Sequence, residues 1–158
     1  MLEKGDANLL EIIDYAFQEV PVGSGLLPIA LTQGQEILLT SIFLQATASN
    51  NKIELRGTVG WEAQLLIVAE LPKLVFRLRL SSTGGPIIYQ TTDSAFVGLP
   101  PEQGPLIPLD YTSTFVHTES ADPSIIGTFQ QYFLTVQHTG FGNATITGPI
   151  NLTGMVVG

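Results

Sequence analysis

His117, Glu119 and Asp122 form the densest group of metal donors in the chain. An imidazole with two carboxylates suits a divalent cation, and on a strand His117 and Glu119 share a face. Asp122 precedes Pro123, however, where an aspartate serves turn geometry. The group therefore argues for a strand end and its turn, and no metal or other cofactor is expected. His138 stands just before Gly140 and reads as a polar residue at a strand end. A Ser-His-Asp relay around either histidine lacks the Gly-x-Ser-x-Gly elbow that would expose its nucleophile. Glu54 and Glu62 would need to sit roughly 5–10 Å apart to cleave a glycosidic bond. They alternate with apolar residues and read as outward charges. No catalytic residue is expected, and the chain does not read as an enzyme.

Other residues with chemical potential have structural readings of the same kind. Trp61 is a possible sugar-stacking platform, but it keeps the parity of Leu55 and Val59 and so belongs in the core. Asn143 and Asn151 each open an Asn-x-Thr sequon, yet Thr145 and Thr153 equally suit the solvent face of a strand. Arg77 and Arg79 project from one face. They either meet acids on a neighbouring subunit or form a charged ladder that discourages edge pairing.

These residues ride on elements with a period of two. In residues 143–156, Ala144, Ile146, Gly148, Ile150, Leu152, Gly154 and Val156 fall on one face, and Asn143, Thr145, Thr147, Asn151 and Thr153 on the other. That alternation predicts a half-buried strand. Further strands are predicted at 15–20, 29–31, 37–46, 53–61, 74–80, 87–90, 112–118 and 129–138. Turn signals separate them, including Asn50-Asn51, Gly84-Gly85-Pro86 and Gly140 to Gly142. Residues 98–108 form a loop rich in glycine and proline. Eight to ten strands at this spacing predict an all-β fold, a sandwich or barrel, with no βαβ units. Residues 37–46 are apolar on both parities, which predicts a central or interfacial strand.

At 158 residues the chain is read as one domain at 14–158, preceded by an arm at 1–13. The arm mixes acids with Leu9, Leu10, Ile12 and Ile13, and suits a segment ordered by contact with a neighbour. Apolar residues make up 44% against 13% charged, a surplus that subunit interfaces can absorb. No apolar run approaches the ~20 residues of a membrane-spanning helix. Net charge is −8, and no lysine or arginine follows Arg79, so nucleic acid is not an expected partner. With no cysteine, disulfides and thiolate chemistry are excluded.

The runs IELRGTVGW at 53–61, LVFRLR at 74–79, YFLTV at 132–136 and ITGPINLTG at 146–154 carry a resemblance. Across residues 15–158 the chain resembles exosporium and endospore-appendage proteins of spore-forming bacteria. Their jelly roll is similar to complement-type and tumour-necrosis-factor-like heads. The resemblance implies a jelly roll of two antiparallel sheets, compact homotrimers and, in some members, fibres joined through the N-terminal arm. It also implies a place on the spore surface or an extracellular appendage, with an anchor or tip protein as a further partner. Some spore-appendage subunits are cross-linked by cysteines, so any fibre of this chain would be non-covalent. The expected function is a structural, self-assembling subunit. Its interface candidates are Leu9, Leu10, Ile12, Ile13, Ile37, Leu39, Phe43, Phe129, Tyr132 and Phe133. The alternatives are a receptor- or carbohydrate-binding head, using the loop at 98–108, and a phage capsid or tail-fibre protein.

Overall fold

A computed structural model describes residues 10–64, 71–95 and 108–158. The chain runs through β1 (Ile12–Val20), β2 (Ile29–Ala30), β3 (Glu36–Gln45), β4 (Lys52–Gln64), β5 (Lys73–Leu80), β6 (Ile87–Ser94), β7 (Leu109–Ser120), β8 (Phe129–His138) and β9 (Asn143–Val157). One 3-10 turn, Pro123–Ile125, separates β7 from β8. The strands form two antiparallel sheets, ordered β1-β9-β4-β7 and β3-β8-β5-β6, with β2 also paired to β9. This is an all-β jelly-roll sandwich; the strand spacing predicts a sandwich or barrel, and the resemblance implies the jelly roll.

Alternation decides which side chains fill the space between the sheets. Ile53, Leu55, Val59, Trp61 and Ala63 of β4, with Ile146, Ile150, Leu152 and Val156 of β9, face Leu74, Phe76 and Leu78 of β5 and Tyr132, Leu134 and Val136 of β8. All lie at 3% exposure or less. At about 25 cal/mol per Å² of apolar surface, burying these side chains is the main term holding the sheets together. Glycines set how closely parts of the sheets approach. A Cβ on Gly60 would collide with the Gly148 carbonyl, and one on Gly154 would meet the ends of Leu44 and Ile42 across the core.

The first and last strands pair, with Ala16 opposite Gly154 and Val20 opposite Ile150. Glu11 and Gly158 exchange backbone hydrogen bonds of 3.1 and 3.0 Å. Ile12 and Ile13 are thus the first residues of β1, and sheet structure reaches back into the segment read as an arm. At the β3–β4 turn, Asn51 is buried, and its side-chain oxygen accepts the Thr47 and Ala48 amides at 2.9 Å each. The turn signal at Asn50-Asn51 therefore has a mechanism.

β3 corrects the first half of the expectation of a central or interfacial strand. It is an edge strand of its sheet, not a central one. Its register slips between Leu38 and Thr40, leaving Leu39 as a bulge. The extra residue reverses parity within the strand. Ile37 faces inward before the bulge, and Ile42 and Leu44 face inward after it. A single buried face that changes parity looks apolar on both parities.

Candidate interaction surfaces

The residues with the most chemical potential are occupied by the fold. His117 and Glu119 point between the sheets at the β7 edge, with Nε2 and Oε2 3.5 Å apart. Tyr89 of β6 lies beside the imidazole, ring centroids 5.2 Å apart. Tyr132 donates its hydroxyl to Glu119 Oε1 at 3.3 Å. Burial, with the Glu119 charge adding to it, pushes the Tyr132 phenol well above its ordinary value. Asp122 turns away and caps the 3-10 turn, accepting the Ser124 amide and hydroxyl at 2.8 Å each. Those bonds, the amide first, lower its pKa. Among the described residues no three His, Cys, Asp or Glu side chains converge on a metal position.

Trp61 is in the core, stacked on Tyr111 at 4.7 Å. Its indole N–H donates to Ser113 Oγ at 2.9 Å, and the Ser113 hydroxyl donates to Asp93 Oδ2 at 2.6 Å. This chain links β4 and β7 in one sheet to β6 in the other. His138 is 1% exposed, and neither ring nitrogen has a hydrogen-bond partner among the described residues. Burial drives its pKa down, because the interior disfavours the imidazolium.

The outward face of the β3-β8-β5-β6 sheet divides in two. One part is a charge network. Glu36 accepts Arg77 Nη1 at 2.8 Å, Arg79 Nε and Nη2 at 2.7 and 2.9 Å, and the Thr135 hydroxyl at 2.5 Å. Arg77 also donates to Gln90 and Gln137, and Arg79 to the Gly85 carbonyl. The Arg79 hydrogen bond leads the causes that hold the Glu36 carboxyl at about 2; burial opposes it, while Thr135 and both guanidinium charges assist. The arginines thus pair within the chain, and on β5, an inner strand, they guard no sheet edge. Glu36 lies 41 residues from Arg77, and no local pattern joins them; strand order alone does. The other part is aromatic. Phe43 is 54% exposed and Phe129 65%; Phe43 pairs with Gln131 of β8, which Phe129 and half-buried Phe133 flank on the same face.

The outward face of the β1-β9-β4-β7 sheet is built differently. Tyr15 opposes Met155 and Phe17 opposes Thr153. On β4, Glu54 and Arg56 form an exposed ion pair at 2.6 Å. On β7, Thr114, Val116 and Thr118 are exposed. Tyr15, Phe17 and Val116 are each more than half exposed. Sequence reasoning missed these three as surface residues. The signal available was β1 parity, in which Tyr15 and Phe17 stand opposite to Ala16 and Val20.

Of the expected interface residues, Leu10, Ile12, Phe43 and Phe129 are exposed and Phe133 is half-buried. Ile13 and Ile37 pack against the core, and Leu39 belongs to it. Tyr132 is fully buried and offers a partner no surface within the folded chain. Leu9 lies outside the described residues, as does the loop at 98–108 except its last residue.

No family model matches the chain, and no curated protein matches it. Among solved structures, one match is the VP2 subviral particle of infectious bursal disease virus, at 11% identity and a TM-score of 0.26. The alignment covers 92% of this chain and 40% of the VP2 chain. A likeness that weak carries no argument about assembly or function.

Proposed function

We propose that this protein is a structural subunit that assembles with copies of itself, as a spore-surface appendage or fibre protein would. One observation carries the reading. The sandwich exposes large apolar side chains on both opposite outward faces, Phe43 and Phe129 on one and Tyr15, Phe17 and Val116 on the other. Burying one such aromatic side chain fully is worth roughly 1.5–3 kcal/mol. A subunit with two separate adhesive faces can meet different neighbours through each, and contacts that do not close on themselves extend into filaments. Trimers joined into fibres are one arrangement that such faces serve.

Negative-stain electron microscopy of the untagged chain tests the reading, alongside Phe43→Glu and Phe17→Glu variants. The expected result is oligomers or filaments from the natural chain, with each variant losing one kind of contact while keeping its β circular dichroism. Dispersed monomers from the natural chain would sink the proposal.

A further inference from the structure

An outer edge strand presents unpaired amides and carbonyls to any strand that can match it, and proteins blunt such edges. Among the described residues, three of the four strands that end the two sheet paths are blunted in the same way. Between paired positions, β1 carries the extra residue Ile13, β3 carries Leu39 and β6 carries Ile88. Each of these aliphatic residues packs into or against the core. A bulge disrupts the ladder and increases local twist, so each strand presents a broken template. β3 has a second block: its Gln45 amide donates to Asp14 Oδ2 at 2.7 Å.

β7 is different. It pairs with β4 without a register shift from Lys52–Ser120 to Ala63–Leu109. It contains no proline, lysine or arginine. Among the described residues, the backbone from Thr112 to Ser120 has no hydrogen-bond partner other than β4. Its outward side chains, Thr112, Thr114, Val116 and Thr118, are exposed and small enough to flank another strand.

We infer that the outer edge of β7 pairs antiparallel with the β7 edge of a second copy of this chain, across a two-fold axis. The occupant follows from the edges themselves. A long regular ladder needs a long unbulged strand on both sides, and β7 alone among the four edges supplies one. Charge permits the match. With the axis at Thr114 or Phe115, Asp110 falls opposite Thr118 or Ser120, and Glu119 opposite Leu109 or Tyr111. No like charges meet, and threonine and valine pair across the new ladder, a favourable combination in sheets. The two β1-β9-β4-β7 sheets become one continuous sheet. This contact is isologous and closes with two copies, so it is separate from contacts made through the outward faces. It rests on the self-assembly proposed above.

The chain has no cysteine, so introduced thiols report cleanly. Directly opposed side chains place their Cβ atoms about 4.5–5.5 Å apart, close to disulfide reach. Purified Thr114→Cys protein, and an equal mixture of Thr114→Cys and Val116→Cys proteins, are oxidised gently and run on non-reducing gels. Thr58→Cys, on the outward face of the central strand β4, is the control. The expected result is a disulfide-linked dimer from the first sample or from the mixture in excess of its separate components, and none from the control. A Thr112→Lys/Thr114→Lys variant, which leaves the outward-face Val116 in place, should keep its circular dichroism and show its light-scattering mass cut by half. Assemblies that persist without a β7 cross-link, and at unchanged mass in the lysine variant, overturn the edge contact and leave self-assembly standing. A natural chain that is monomeric overturns both.

Discussion

The two sheets of this sandwich are held together by opposite means. The β1-β9-β4-β7 sheet relies on what its side chains leave out: Gly60 yields to a neighbouring carbonyl, Gly57 to the Phe115 ring, and Gly154 to aliphatic side chains from across the core. The β3-β8-β5-β6 sheet relies on what its outer face adds, one carboxylate on β3 gathering two guanidiniums from β5 across the intervening β8. Backbone close approach does not respond to pH, whereas an ion network does. The same sandwich should therefore fail sterically in one sheet and electrostatically in the other.

The sharpest way to break this contrast lies in the first sheet. Gly60→Ala places a Cβ against the Gly148 carbonyl, and backbone cannot swing aside as a side chain can. Overpacking of that kind should cost roughly 3 kcal/mol, read as a lower denaturation midpoint with little change in pH dependence. In the second sheet, Glu36→Gln leaves two partly buried guanidiniums without their counter-charge. The cost should be about 2 kcal/mol at neutral pH, moderated by the partial solvent exposure of the cluster.

The pH profile separates the mechanisms further. The folded Glu36 carboxyl sits at about 2 against an ordinary 4.5, so its contribution is complete above the ordinary value. It fades as pH falls through about 4.5 towards 2, where the folded state must also take the proton. Denaturant titrations across that window should show the loss in the natural chain and a flatter slope in Glu36→Gln. Gly60→Ala should retain the full slope. An equal slope in Glu36→Gln would contradict the assignment of acid sensitivity to this network.

A smaller pH effect comes from His138. Its folded pKa lies below the ordinary 6.5, so the unfolded chain binds a proton that the folded chain refuses. Stability should decline as pH falls below about 6.5. His138→Leu should remove that decline and leave the Glu36 window intact. Smaller again is Gly154→Ala, whose new methyl meets flexible side-chain ends; it should cost about 1 kcal/mol.

Much of this architecture is legible in the chain. The period-two patterning of β4, β5, β8 and β9 names the core residues, and the turn residues between strands divide the sheets. Trp61 is placed correctly by parity alone. Bulges are what parity cannot see. Leu39 makes a one-faced edge strand look two-faced, and the bulge at Ile13 hides the parity of β1 at its start. The Glu36 network is equally hidden, because strand order brings β3 and β5 to either side of β8 and no sequence spacing records that. Of the expected surface, Phe43 and Phe129 emerge exposed, whereas Tyr132 turns inward as β8 alternates between Phe133 and Leu134. The aromatic face of β1 needed the pairing of first and last strands before Tyr15 and Phe17 could be placed.

Self-association is the central claim, and mass in solution tests it most directly. Light scattering of the purified, untagged chain should be recorded over a wide concentration range at neutral pH. The account predicts an integral multiple of the 17.0 kDa chain, or growth to larger species as concentration rises. A constant 17.0 kDa at every concentration would contradict it.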